Sequence, residues 1–547
     1  MRKAVTWTAV GVIPAAFIAV FFVWPVATLV GRGFVDESGV NLAGFAEVFS
    51  RGRTWRIVSL TLGQAVIGTV LCVLLGLPGA YLLYRVRFPG RQWLRGLVTI
   101  PFVLPSVVVG VMFKTLLLPT GPLGFLNLDE SFIAIIAALV FFNYSVIVRT
   151  VGSMWAGLDP RPAEAARTLG ASGPRVFFTV TLPSLGPAIA SGASLVFLFC
   201  ASAYGVVMVL GGVRYGTIET EIWFQTTQLL DLRAAAALSI VQLVVVTLSL
   251  LVAGRSRSRT EQALRLRSDA SGEVAWRAAR DWPAALVTAI VVGGLLLVPI
   301  LSMAWRSLQA PDGFGLGNYR NLATTGTGAL TVPVWQAVGN SLVIAVQATL
   351  IALTLGLLVT VLISRRPTSG WGRGLLACVD GLFMLPLGVS AVTVGFGFLI
   401  TLNRPPLDLR SSMILVPIAQ AIVALPLVVR TLLPLLRALD QRQLEAAATL
   451  GSPPLEVFWR IEAPQLWRGL GLAIGFAFAT SLGEFGATSF LSRPDRPTLP
   501  TVIFRLIGRP GEVNYGMAMA SATLLAIMTG AVMALAERVR PKEATTW

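Results

Sequence analysis

The chain has 547 residues, 55% of them apolar and 13% charged, with a mean hydropathy of +0.77. Soluble chains carry about 25% charged residues, so this composition excludes a soluble multidomain enzyme, a disordered scaffold and a secreted disulfide module, and indicates a polytopic membrane protein. Lys plus Arg is 43 against 26 Asp plus Glu, a net +17, and His is absent, which excludes His-based catalysis and His-ligated metal sites.

A spanning helix needs about 20 mostly apolar residues. Twelve stretches meet this, near 8–31, 57–84, 97–119, 132–150, 185–211, 234–254, 283–305, 339–363, 374–402, 412–436, 467–491 and 515–536. The first follows Met1, Arg2 and Lys3. Its apolar run is too long for a signal-peptide core and lacks a small-residue cleavage site, so it reads as a retained anchor. With the N-terminus in the cytoplasm, 28 of the 43 basic residues fall in inside segments and 15 fall outside or in spans. The inside group includes Arg85 to Arg95, Arg149 to Arg175, Arg255 to Arg267, Arg365 to Arg373, Arg430 to Arg468, and the tail Arg538, Arg540 and Lys542. This bias sets both termini in the cytoplasm, and it makes the basic excess an orientation signal, with no nucleic acid implied.

Several polar residues lie within or beside the spans. Lys114 is expected to snorkel to the outer interface, and Asp380 to meet Arg373. Gln64, Asn143, Asn340 and Gln347 are expected to hydrogen-bond between helices. Cys72, Cys200 and Cys378 are far apart in apolar runs and read as buried free thiols, without the CxxC spacing of a metal or redox site. Residues 255–282 form the longest polar cytoplasmic stretch and read as a solvated linker. The domain reading is therefore a first half over 1–254, a basic linker over 255–282 and a second half over 283–547, with six spans in each half.

The halves repeat at an offset of 281 residues. Residues 146–183 match residues 427–464 at 15 of 38 positions without a gap. Arg149 pairs with Arg430, Asp159 with Asp440, Arg161 with Arg442, Glu164 with Glu445, Gly170 with Gly451 and Pro183 with Pro464. Outside that window Leu104-Pro105 matches Leu385-Pro386, and Tyr204-Gly205 matches Phe485-Gly486. Six spans separate the repeated loops, so both fall on one side of the membrane. The repeat is parallel, related by a pseudo-twofold axis along the membrane normal. A permeation path would run down that axis.

The repeated loop, 159–183 and 440–464, has a readable local structure. Asp159 and Asp440 are placed to cap a short helix, and Pro160 suits its first position. Glu164-Ala165-Ala166 and Glu445-Ala446-Ala447 lie on that helix, where small Ala side chains allow close approach of another protein. Gly170 and Gly451 end it, where positive φ is cheap for Gly. A second amphipathic helix, with Val176, Phe177 and Val180 or Val457, Phe458 and Ile461, is expected to stop at Pro183 or Pro464.

The pattern Glu164-Ala165-Ala166, Gly170, Val180, Leu182, Pro183 and its second copy Glu445-Ala446-Ala447, Gly451, Ile461, Ala463, Pro464 resembles the EAA motif of ATP-binding-cassette (ABC) importer permeases. Val180 in place of Ile and Ala463 in place of Leu are mild departures. The resemblance implies an all-α polytopic membrane protein of the type I importer (MetI-like) fold, with about 12 transmembrane helices in two parallel six-helix repeats. It implies that the EAA helices are coupling helices, each seated on a cytoplasmic ATPase subunit. Two copies of that subunit would use ATP and Mg, and an extracytoplasmic substrate-binding protein would deliver the ligand in a bacterial inner membrane. The chain resembles two permeases fused into one.

A P-loop needs Gly-Lys-Ser/Thr, and none of Lys3, Lys114 and Lys542 follows a Gly. No ATP hydrolysis, cofactor or metal is therefore expected on this chain itself. Among fused permeases, Gly483-Glu484-Phe485-Gly486 to Thr498-Leu499-Pro500 resembles both thiamine and iron(III) permeases. Phe141-Phe142-Asn143 and Leu210-Gly211-Gly212 with Thr217-Ile218-Glu219 resemble thiamine permeases more. The reading favours thiamine or a related thiamine compound over iron(III).

For the path itself, Glu484 is a costly carboxylate at membrane depth, and its first-half counterpart is Ala203. It would attract a cation, or pair with Arg493 or Arg496 near the outer end. Tyr204, Phe485, Trp223 and Phe224 offer cation–π surfaces or interfacial anchors. An ion-coupled secondary transporter is the rival reading. The scarcity of central acids and the twin charged loops weigh against it, and no acid–base or metal cluster supports a membrane-bound enzyme.

Overall fold

The computed structural model describes residues 11–36, 39–40, 42–212, 214–265, 273–365, 370–404, 407–409 and 412–538. Arg2, Lys3, Arg267, Arg366, Arg540 and Lys542 lie outside the described residues, and the side chains of Arg373 and Cys378 are not among those described.

Hydrocarbon offers no partner to a free backbone N–H or C=O, so an apolar chain of this kind closes its hydrogen bonds within helices. Among the described residues, nine helices could cross a bilayer unbroken: Gly11–Phe34, Gly52–Arg85, Phe132–Ala156, Gly173–Ala201, Leu232–Leu251, Ala278–Ser307, Val334–Ile363, Leu415–Arg437 and Glu512–Arg538. Three further passes are bent: Arg91–Val103 with Ser106–Leu117 at 102°, Val379–Pro386 with Ala391–Thr401 at 94°, and Phe458–Trp467 with Gly469–Gly483 at 54°. In chain order these make twelve passes, six in each half.

The first pass of each half packs on the other half. Ile18 and Phe22 share a core with Leu355, Val359 and Ile363 of the eighth pass and Phe398 of the ninth. Reciprocally, Val291, Val292 and Leu296 of the seventh pass join the core of the second and third passes, and the Tyr81 hydroxyl donates to Asp281 at 2.8 Å. The two halves are thus interlocked by a mutual exchange that buries apolar surface on both sides.

The bends arise differently in the two halves. Leu104 precedes Pro105 and is extended (ψ 140°), as a residue before proline prefers, and the next helix starts at Ser106. In the second half Pro386 lies inside the helix Gly370–Gly388. The break comes four residues later, at Ser390, whose Oγ accepts the Val392 N–H at 3.0 Å. The Leu-Pro pairs match in sequence but do not mark equivalent bends.

The fifth and eleventh passes also differ from the sequence expectation. The helix runs from Gly173 straight through Pro183 to Ala201, so Pro183 ends no separate amphipathic helix. The residues before the prolines, Phe177–Thr181 and Phe458–Glu462, form wide π-type turns. Such a turn does not need the i→i−4 donor that proline lacks, and it makes room for the ring. At the far end the fifth pass stops at Ala201 and the eleventh at Gly483, before Tyr204 and Phe485.

The junction between halves is structured where it is described. The sixth pass continues as one helix, Leu232–Arg265, and carries much of the basic run. Beyond it, Val274–Ala275 pairs in parallel with Val86–Arg87. Glu273 accepts from Arg87 Nε at 2.6 Å and Arg91 Nη2 at 3.0 Å.

Candidate functional site

The two repeated loops fold alike. Asp159 and Asp440 each accept the backbone N–H two residues on, from Arg161 and Arg442, at 3.0 Å. Pro160 has helical dihedrals (φ −74°, ψ −21°), which its ring favours. The short helices are Arg161–Thr168 and Gln441–Thr449. Gly170 and Gly451 turn the chain out with φ of +84° and +80°. The next N–H, of Ala171 or Ser452, reaches back to Ala166 or Ala447 at 3.1 Å, so both helices end in the same glycine-turn cap.

This puts Glu164, Ala165, Glu445 and Ala446 on the exposed surface, with Ala166 and Ala447 half-buried behind them. Between each EAA triplet and its glycine stands a leucine that sequence reasoning passed over: Leu169 is 88% exposed and Leu450 85%. Phe178 and Trp459, also 281 apart, are 64% and 62% exposed. Four large apolar side chains thus stand exposed at equivalent positions of the two repeats. The signal was present in the repeat, since Leu169-Gly170 and Leu450-Gly451 are identical pairs.

At the other end of the passes the halves meet through rings. Tyr204 and Phe485 occupy equivalent positions and stack on each other, centroids 5.3 Å apart at 25°. Trp223 and Phe504, also 281 residues apart, meet edge-on at 6.4 Å, and Phe485 contacts Phe504 at 5.3 Å. Contact between residues related by the repeat is possible only where the pseudo-twofold axis passes between them. These rings therefore lie on the axis and close it. Phe224, in contrast, faces Arg53, whose guanidinium sits 5.5 Å from its ring centroid.

The short helices that carry two of the rings are built alike. Ile218–Thr227 and Leu499–Ile507 each start with a Thr capping box, Thr217 with Thr220 and Thr498 with Thr501. Their first N–H groups are held by Thr61 and Ser341 of the second and eighth passes, at 3.0 and 2.8 Å.

Glu484 is buried, and it does not pair with Arg493 or Arg496. It accepts the N–H groups of Ala487 and Thr488 at 2.7 and 3.0 Å and the Thr488 hydroxyl, while Arg493 pairs with Asp495. Its carboxylate starts the short helix Thr488–Leu491 after the eleventh pass stops. Sequence reasoning named Glu219 only as part of a motif. The structure buries it beside the same rings, where it accepts from Gln242 Nε2 at 2.9 Å and from the Ser390 hydroxyl of the other half.

The remaining polar residues have structural partners. Lys114 lies 3.6 Å from Glu130, and Asp380 lies 3.9 Å from Arg437. Gln64 bonds the Cys200 carbonyl at 2.8 Å and Asn340 the Pro497 carbonyl at 3.1 Å. Asn143 Nδ2 bonds the Leu139 carbonyl of its own helix at 2.9 Å and reaches Cys200 Sγ of the fifth pass at 3.5 Å, while Gln347 is exposed. Cys72 and Cys200 are buried and free.

The model of the binding-protein-dependent transport system inner membrane component matches residues 72–262, which include the first EAA loop. The sulfate transport system permease protein CysT of Escherichia coli (strain K12) is 30% identical over 251 residues, 44% of this chain and 89% of that protein. The chain belongs to the family of binding-protein-dependent transport system inner membrane components. Other relatives align along nearly the whole chain. The thiamine transport system permease protein ThiP of Brucella abortus (strain 2308) is 26% identical over 497 residues, covering 88% of this chain and 87% of that one. ThiP of Salmonella typhimurium (strain LT2) is 26% identical over 515 residues, 90% of each.

As such an inner membrane component, the chain is a fused two-half ABC importer permease with the MetI-like fold, a multi-pass transport subunit of the inner membrane. The ion-coupled secondary transporter is set aside. Systems of this family work with ATPase and binding-protein partners.

Proposed function

We propose that this permease takes its drive from two copies of a cytoplasmic ABC ATPase seated on the twin loops, and that it carries thiamine or a related thiamine compound inward. The observation that carries the coupling half of this reading is the matched pair of exposed helices. Glu164, Ala165, Ala166 and Gly170 recur as Glu445, Ala446, Ala447 and Gly451, with Leu169 and Leu450 standing out beside them. The Glu side chains supply a charge for a basic partner residue, and the leucines fill an apolar pocket. ATP and Mg are used on the partner, and this chain needs no cofactor of its own. Closure of the two ATPase copies would draw the loops together and part the rings at the opposite end. An extracytoplasmic binding protein would deliver its ligand there. Both termini and the linker over 255–282 then face the cytoplasm, with the halves 1–254 and 283–547 contributing equally to the drive.

The support for thiamine is the span of the likeness, since the thiamine permeases align along both halves whereas the sulfate permease aligns along less than half of the chain. Uptake of labelled thiamine, sulfate and iron(III) in cells with and without this chain tests it. Loss of thiamine uptake alone is the expected result, and a loss confined to sulfate or iron(III) overturns it.

A further inference from the structure

Five acidic side chains are buried among the described residues: Glu219, Glu221, Asp281, Glu462 and Glu484. A buried carboxylate without a counter-charge is costly, and three of the five have one. Glu221 is held by Nε and Nη2 of Arg53, each at 2.9 Å, Asp281 by Arg280 at 2.6 Å, and Glu462 by Arg365 at 2.7 and 2.8 Å. The two without a cationic partner among the described residues are Glu219 and Glu484.

Of the two, Glu484 is committed to local N–H groups. Glu219 is not. It is 1% exposed, and its donors are the neutral Gln242 amide and Ser390 hydroxyl. Gln242 is equally buried, and its Oε1 has no hydrogen-bond partner. A carboxylate and an unsatisfied amide oxygen thus sit together with no positive charge between them. Trp223 stands one turn on from Glu219 on the same helix face, with its Nε1 also unpartnered. Through Phe504 and Phe485 the rings continue to Tyr204. Two residues along the helix, Glu221 faces away to Arg53, so the acid without a cationic partner is the one on the ring side.

We infer that Glu219, with the rings Tyr204, Phe485, Phe504 and Trp223, is the charge-selecting element of the transport path, built to pass an aromatic organic cation. When the halves part, the stacked rings offer π faces to a flat cation, and Glu219 supplies its counter-charge. An anion would find acids and no cationic partner there, and be rejected. This rests on the import reading proposed above and names the residue that sets its charge preference.

The test uses cells carrying the complete transporter, with uptake of labelled thiamine compared with that of 3-deazathiamine, its uncharged isostere. Glu219→Gln keeps the shape and hydrogen-bonding reach but removes the charge. It is expected to cut thiamine uptake about tenfold or more, the scale of an uncompensated charge, and to change 3-deazathiamine uptake less than about twofold. Glu219→Asp is expected to restore most of the preference for thiamine. Ser390→Ala removes the contact to the other half and is expected to move both ligands together. Membrane levels of each variant are read by immunoblot. Unchanged thiamine uptake in Glu219→Gln, or an equal loss of both ligands, overturns the inference and leaves the thiamine reading standing. A wild-type chain that carries sulfate and not thiamine overturns both.

Discussion

The two ends of the pseudo-twofold axis follow different rules. At the loop end the copies are nearly superimposable in chemistry: the same Asp turn, glycine φ values of +84° and +80°, and leucines 88% and 85% exposed. At the ring end the backbone frame repeats, with twin capping boxes, but the chemistry does not. Glu484 faces Ala203 across the repeat, and Glu219 faces Pro500. A motor made of two identical subunits demands two identical seats. A single asymmetric ligand crossing the axis makes no such demand. On the proposed reading, the symmetric end is where drive would be applied, and the asymmetric end is where a ligand would be chosen.

The sharpest way to break this comparison is to spoil both seats. Glu164→Lys with Glu445→Lys is expected to reduce uptake by roughly a hundredfold or more, since reversing a charge at each of two docked sites costs several kcal/mol. Membrane insertion, followed by fractionation, is expected to stay normal, and undiminished uptake would remove the coupling assignment. The single changes Leu169→Asp and Leu450→Asp come next. Each is expected to lower uptake about tenfold, the loss of one apolar anchor from an interface. Equivalent seats require that the two losses agree. A severe loss at one leucine and none at the other would show that the loops are not equivalent seats.

At the ring end the expectation reverses, and equivalent positions should respond unequally. Glu484→Ala removes the acceptor of two backbone N–H groups and is expected to lower the thermal stability of the detergent-purified chain by about 1–2 kcal/mol. Ala203→Ser, at the matching position, removes no hydrogen bond and is expected to shift the melting temperature little. Equal shifts would mean that Glu484 is not the local cap its geometry indicates.

Much of this was legible in the chain. Composition and apolar runs gave the passes, and the repeat with its Asp, Glu and Gly positions gave the loops. What was not legible depends on contacts that no local pattern reports. The exchange of first passes places Phe22 against Leu355, more than 300 residues away. The bends were not legible either: 97–119 and 374–402 read as single spans, and the structure breaks them at Pro105 and at Ser390. The prolines after the loops were read as stops because a sequence does not announce a π-type turn. Glu219 stayed hidden because a Glu beside a Thr capping box reads as an exposed first-turn residue. Only the fold shows that Ser390 of the other half covers it.

The smallest expected effect tests where the symmetric end stops. Glu273 lies within the 255–282 stretch, beside the loop that follows the second pass. The hydrogen bond from Arg87, with that from Arg91, holds its carboxyl below the usual range of 4.5. A carboxyl depressed in the folded state contributes stability above its unfolded value, and the contribution fades as pH falls through the lower folded value. The junction should therefore hold at neutral pH and loosen only below about pH 4.5. Arg87 is largely exposed, which limits the pair to about 1 kcal/mol or less. Glu273→Gln is expected to lower the melting temperature slightly at pH 7, and the difference from wild type is expected to shrink below about pH 4.5 and vanish once pH has fallen through the lower folded value. A difference that persists undiminished in acid would mean that Glu273 acts through packing against Val86–Arg87 and not through its charge.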